Sequence, residues 1–165
     1  MNPKRHHVLF LCADNANRSI LAEGLLNTLG GDRFVAYSAG LRPAPEIHRL
    51  TLETLATHSV PIAGLRCKDV AAFTQPGAPR IDLIVTVCAR TAAEVLPTLP
   101  GRPLLTHWGI EDPTAYEGGD LETASRMFRN TATVLRRRIE LLRALPVESL
   151  DRLAMERAIE GIGSH

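Results

Sequence analysis

Two short apolar runs, Val8–Leu11 and Ile81–Val87, set the tightest limit on the fold; the second is interrupted by Asp82 and Thr86. A strand that reads apolar on both faces belongs in a sheet covered on both sides, the usual situation of a parallel sheet. Phe34–Ala39 and Leu104–Thr106 are weaker candidates of the same kind. Segments of helical period lie between them. In Ser19–Leu29, residues Ile20, Leu21, Leu25 and Leu29 share one face, and Gly30-Gly31 stops the helix. Glu46–His58 begins after Pro43 and Pro45 and closes before Pro61, placing His48 and His58 on a helix surface, and Thr91–Leu96 has the length of a short helix. Leu121–Leu145 is the longest periodic stretch, with Met127, Phe128, Leu135, Ile139 and Leu142 as its apolar stripe. Its arginines (Arg126, Arg129, Arg136, Arg137, Arg138, Arg143) mostly fall on other faces and read as a solvated surface rather than a nucleic-acid patch. Ser149–Gly161 is expected as a last helix with Ser149 as its N-cap.

Alternating strands and helices imply an α/β fold of three layers: a four-stranded parallel open sheet, right-handed crossovers and helices on both faces. The 165 residues suit one domain over 1–165, with about 146–165 as a C-terminal helical extension. In such sheets ligands collect beyond the carboxyl ends of the strands. Cys12 follows the first strand and Cys88 ends the third, so topology alone sends both thiols to the same edge.

A net charge of +1 gives no global field toward nucleic acid or membrane. No apolar run is long enough to span a bilayer, and residues 1–7 carry charge without a following signal-peptide core. Three cysteines, Cys12, Cys67 and Cys88, are too few and too irregular for a disulfide scaffold or a structural zinc site. Reduced thiols in a cytoplasmic protein are the expectation, with no tightly bound cofactor.

The chemistry concentrates in Cys12-Ala13-Asp14-Asn15-Ala16-Asn17-Arg18-Ser19, between the first strand and first helix. Five residues between Cys12 and Arg18 can wrap so that successive N–H groups face inward, an anion nest at a helix N-terminus. Arg18 adds a planar fork that matches two oxygens of phosphate or arsenate. The same field acts on sulfur: a free thiol near about 8.5 falls to roughly 3.5–7.5 in such surroundings. Cys12 is therefore expected as a thiolate nucleophile, with Ser19 donating to it and Asn15 supplying a left-handed residue. Farther along, Asp112 precedes Pro113, which restricts it to extended backbone and helps aim its side chain. A carboxyl poised over an anion has its pKa pushed upward, as a general acid requires.

These residues resemble the low-molecular-weight protein tyrosine phosphatase superfamily, which includes one class of arsenate reductases. The likeness runs from about Val8 to Asp151. It is carried by Val8–Leu11 leading into Cys12, Asn15 and Arg18-Ser19, then by Leu21-Ala22-Glu23-Gly24, Ser38-Ala39-Gly40 and Asp112-Pro113. The resemblance implies a phosphotyrosine protein phosphatase I-like fold, with Cys12 as nucleophile, Arg18 as oxyanion clamp and Asp112 as general acid. Some members bind potassium beside the loop, and Asn15, Glu23, Ser38 and Asp69 stand where such ligands fall.

Two details favour the reductase branch. A phosphotyrosine slot needs aromatic walls, whereas the chain is only 4% aromatic and Leu41-Arg42-Pro43-Ala44 carries no large ring. Reduction also needs a second thiol, and Val85-Thr86-Val87-Cys88, Leu96-Pro97 and His107-Trp108-Gly109 resemble the reductases. Those commonly carry a further cysteine where this chain has Leu96. Either Cys12–Cys88 is the terminal disulfide, or Cys67 or an external thiol completes the relay. Glutathione with glutaredoxin, or thioredoxin, is the expected donor. A phosphomonoesterase working through cysteinyl-phosphate and a non-catalytic oxyanion-binding module are the alternative readings.

Overall fold

The computed structural model describes residues 4–94, 96–116 and 119–165. Four strands, β1 (His6–Cys12), β2 (Phe34–Gly40), β3 (Leu83–Thr86) and β4 (Leu104–His107), form one sheet of order β2-β1-β3-β4. All three pairings are parallel. The helices are α1 (Arg18–Leu29), α2 (Arg49–Thr57), the single turn α3 (Ala89–Ala92), α4 (Leu121–Ala144) and α5 (Arg152–Ile162). Short 3₁₀ turns stand at Val70–Thr74, Pro113–Tyr116 and Val147–Ser149. The expected α/β architecture is present.

Alternation along β1 divides the interior. Val8, Phe10 and Cys12 face a large cluster with Ile20, Leu21 and Leu25 of α1, Leu135, Ile139 and Leu142 of α4, and Ile159 and Ile162 of α5. Leu9 and Leu11 face the other side, where Val70 and Phe73 of the first 3₁₀ turn, Ile81, Ile84 and Leu99 cover them. Both faces of β1 are thus sealed, which is why the run reads apolar throughout.

Several boundaries differ from the sequence expectation. The second helix starts at Arg49 rather than Glu46, because His48 caps it: the His48 side chain accepts the Leu50 N–H at 3.1 Å while its ring stacks on Phe128 at 4.8 Å between centroids. His48 is therefore a cap wedged against α4, not a plain surface residue. His58 caps the other end and meets Arg136 at 3.3 Å. The helix expected over Thr91–Leu96 is instead a turn over Ala89–Ala92, started by the Cys88 sulfur; Val95 lies outside the described residues. At the last helix Asp151, not Ser149, accepts the capping N–H, from Ala154 at 2.8 Å. Ser149 ends the preceding 3₁₀ turn.

Arg138 departs furthest from expectation. It is buried, and its guanidinium donates to the carbonyls of His165 (3.0 Å), Gly109 (3.1 Å) and Gly163 (3.2 Å). It ties the end of α5 to the loop after β4. That loop is also anchored by Trp108, fully buried, whose Nε1 donates to the Ile159 carbonyl at 3.1 Å. No helix among the described residues is long and apolar enough to cross a membrane.

Candidate active site

Register places the nucleophile. Leu11 pairs with Thr86, and the Val87 N–H donates to the Leu11 carbonyl at 3.0 Å. The chain ends of β1 and β3 therefore lie side by side, and Cys12 and Cys88 share one buried cluster at the carboxyl edge of the sheet. The third thiol, Cys67, is half-buried, directly before Lys68.

Around Cys12 the loop turns on itself. The Asn15 N–H donates to Sγ of Cys12 at 3.2 Å, and Ser19 Oγ stands 2.9 Å from the same sulfur. Asn15 takes φ 54°, the left-handed conformation its short amide tolerates, and its Nδ2 donates to Ser19 Oγ at 2.8 Å. Its Oδ1 accepts the Lys68 N–H at 2.8 Å. Asn17 caps α1, accepting the Arg18 N–H. Thr51 of α2 donates to the Ala16 carbonyl at 2.9 Å. Gly40 explains the Ser38-Ala39-Gly40 signature, since a Cβ there would sit 2.9 Å from the Ala13 carbonyl oxygen and 3.0 Å from the Asn15 nitrogen. The loop leaves no room for a side chain on its neighbouring strand.

Arg18 turns its guanidinium toward the loop after β4. Nη1 donates to the Ile110 carbonyl at 3.0 Å, and Nη2 lies 3.6 Å from Oδ2 of Asp112. Asp112 is half exposed, and its Oδ1 accepts both the N–H (2.9 Å) and the hydroxyl (2.7 Å) of Thr114. The turn-forming and the site-facing roles of Asp112 therefore use different oxygens. His107 does not face this loop: its Nδ1 pairs with Thr86 Oγ1 at 2.8 Å.

Two expectations are corrected. Cys12 is not lowered in this state. Burial, the largest influence, pushes its thiol up, and Asp14 adds to the rise; the Ser19 hydroxyl and the Ser19 and Asn15 amides pull the other way and lose. The sequence concealed this because full burial of the sulfur and the inward turn of Asp14 are properties of the folded loop. The cation expected among Asn15, Glu23, Ser38 and Asp69 is replaced by a side chain. The Lys68 ammonium sits 3.2 Å from Oε1 of Glu23, 3.4 Å from Ser38 Oγ and 2.7 Å from the Arg66 carbonyl. Ser38 donates to Glu23 at 2.5 Å. Asp69 is exposed and caps the 3₁₀ turn through Ala71 at 2.9 Å. Lys68 and the Asp14 side chain are the residues that reading the sequence missed. A buried Glu23 opposite Ser38 demanded a positive partner, and the Lys68 beside Asp69 was the available signal.

Elsewhere the described residues line a hollow of about 550 Å³ at the opposite edge of the sheet, bounded by Val8, Phe34 and Leu104, and no cysteine lines it. Among the described residues, a nucleophilic sulfur, a helix N-terminus, a guanidinium and a carboxyl converge at the Cys12 loop.

The sequence model of the low molecular weight phosphotyrosine protein phosphatases matches residues 7–153. The chain belongs to that family. Its similarity to an arsenate reductase of Halalkalibacterium halodurans is 33% identity over 135 residues, covering 81% of this chain and 91% of that one. Among solved structures it resembles the low molecular weight protein tyrosine phosphatase from T. tengcongensis at 25% identity and TM-score 0.64, over 88% of this chain and 99% of the other. It also resembles a thioredoxin-dependent arsenate reductase from Corynebacterium glutamicum at 26% identity and TM-score 0.56, over 86% of this chain and 65% of that one. Family membership accounts for the parallel four-stranded sheet and marks the chain as an enzyme. The family match ends at residue 153, so most of α5 lies outside it.

Proposed function

We propose that this member of the family is an arsenate reductase. The observation that carries the reading is the second thiol: Cys88 lies in the same buried cluster as Cys12, at adjacent strand ends, which a hydrolytic phosphatase does not require. The relative from Halalkalibacterium halodurans named as an arsenate reductase points the same way.

Arsenate sits in the loop Ala13–Ser19, against the backbone amides and the Arg18 guanidinium. Ligand entry exchanges the Arg18 bond to Ile110 for bonds to the anion. Cys12 passes its proton to an oxygen of the bound arsenate and its sulfur attacks arsenic, while Asp112 protonates the departing oxygen, which leaves as water. A second thiol then attacks Sγ of Cys12. A sulfur–sulfur bond forms, the electron pair of the sulfur–arsenic bond stays on arsenic, and arsenate is thereby reduced to arsenite. The second thiol is Cys88, whose sulfur is held by hydrogen bonds to Thr91 Oγ1 at 2.9 Å and to the Thr91 N–H at 3.4 Å. An external dithiol resets the disulfide. Thioredoxin is favoured over glutathione with glutaredoxin because a structural neighbour is thioredoxin-dependent. Beside the loop, the Lys68 ammonium neutralises the Glu23 carboxylate at 3.2 Å.

The test follows arsenate-dependent oxidation of reduced thioredoxin beside hydrolysis of p-nitrophenyl phosphate on one preparation. Cys12→Ser abolishes both. Cys88→Ser abolishes only arsenate reduction. Mass spectrometry after turnover finds Cys12 joined to Cys88. A Cys88→Ser variant that still reduces arsenate, or a Cys12–Cys67 bond, overturns the relay. A second reading, hydrolysis of phosphate monoesters, is favoured by the family model and the phosphatase neighbour. It wins if the wild type hydrolyses esters and leaves arsenate untouched.

A further inference from the structure

A loop built to hold an anion gains nothing from a fixed negative charge of its own, yet this loop carries one facing inward. Oδ1 of Asp14 accepts the Ala16 N–H at 3.2 Å and stands 3.6 Å from Sγ of Cys12. It thus takes one of the amides the loop has to offer and lies against the nucleophile.

The surroundings do not neutralise it. Cys12 faces it from the end of β1. Arg18, at the start of α1, is engaged by Ile110 and Asp112 of the loop after β4. Lys68 is held by Glu23, Ser38 and Arg66. Cys67 lies on the remaining side, its thiol pushed up mainly by burial, with the charges of Asp14 and Glu46 adding to the rise and Lys68 opposing it. Among the described residues neither Arg18 nor Lys68 forms an ion pair with Asp14.

An ionised carboxylate is an acceptor only. Beside a bare anionic oxygen it repels, whereas beside an acidic hydroxyl on the same central atom it accepts a hydrogen bond. We propose that Asp14 makes the Cys12 loop selective for tetrahedral oxyanions that still carry a proton, admitting arsenate and phosphate in protonated form and refusing sulfate. This deepens the oxyanion-loop reading above and rests on it. Inorganic phosphate loses its second proton close to neutral pH and keeps the last one throughout the physiological range, so the hydroxyl that Asp14 needs is present there, whereas sulfate has none.

The experiment is titration calorimetry of the full chain with inorganic phosphate and with sulfate between pH 5.5 and 8.5, on wild type, Asp14→Asn and Asp14→Gly. Circular dichroism confirms that the variants fold, and Asn keeps an acceptor for Ala16 without the charge. In the wild type, phosphate binds across this whole range, because monoanion and dianion both keep a hydroxyl to donate to Asp14. Sulfate binds at least about tenfold more weakly throughout. Both variants gain sulfate by about tenfold or more relative to phosphate. An unchanged sulfate-to-phosphate ratio in both variants overturns the role of Asp14 while leaving the loop reading intact. Wild-type protein that binds neither anion at any pH overturns both.

Discussion

The Ser19 hydroxyl lies 2.9 Å from the Cys12 sulfur and is itself oriented by the Asn15 amide. With the Asn15 nitrogen filling the Ser19 acceptor site, the hydroxyl hydrogen is free to point at sulfur. It is the largest of the influences that lower the thiol, against burial and Asp14, which raise it.

Ser19→Ala therefore raises the Cys12 pKa further. The reactive form is the thiolate, so alkylation accelerates as pH rises through that value, and the variant's midpoint moves to higher pH. A hydrogen bond to a charged group contributes about 1.5–3 kcal/mol, which translates to a loss of about ten- to a hundredfold in alkylation rate near neutrality. Iodoacetamide kinetics across pH, with Cys67 and Cys88 replaced, measure it.

Lys68→Met leaves Glu23 buried against Ser38 without its cation. Removing one partner of a largely buried pair costs about 3 kcal/mol, lowering Tm by several degrees. Lys68→Ala opens a space lined by the same oxygens. Potassium chloride should restore part of its Tm where choline chloride does not, and should leave the wild type unchanged. Differential scanning calorimetry in the two salts decides it.

The expectation of a potassium site shows where sequence reading ended. Glu23 and Ser38 were named with Asn15 and Asp69 only as what the family likeness implies, and the fold sets Ser38 against Glu23 with Lys68 beside them. Which cation cannot be read from spacing, since Lys68 reaches the pocket along a loop whose path is set by hydrogen bonds to Asn15 and Gly40. The sheet was legible for the opposite reason: Val8–Leu11 and Ile81–Val87 encode two-sided burial in local composition. Arg138 and His48 were misjudged because helical period assigns a face without saying what approaches it. Their partners lie 27 and 80 residues away in Arg138–His165 and His48–Phe128.

Arg138→Met strands three carbonyls, those of Gly109, Gly163 and His165. Loss of buried bonds to a charged donor costs about 3 kcal/mol, or roughly 6 to 12 °C in Tm for a chain of this size. Gly109 lies just ahead of the Ile110 carbonyl that holds Arg18, so oxyanion affinity falls as well. Thermal melts and phosphate titration on the same sample read both effects.

Glu148 sets an acid limit. Arg33 grips it with Nε at 3.0 Å and Nη2 at 3.1 Å, and that hydrogen bonding, more than any other cause, holds its carboxyl down to about 2. An unfolded glutamate titrates near about 4.3. The pairing therefore stabilises the fold above that value and is lost as pH falls from about 4 to about 2. Glu148→Gln is less stable at neutral pH and loses stability less steeply across that acid window. Urea unfolding at several pH values checks the slope.

Trp108 is the one tryptophan of the chain, and it is clamped between Phe10 of β1 and the Ile159 carbonyl of α5. The molecule thus carries its own optical gauge. While α5 stays docked, the indole emits from a dry, blue-shifted setting; if the helix lifts, water reaches the ring and the emission reddens. Every ligand, salt and substitution discussed above can be followed through that single fluorophore without attaching a dye.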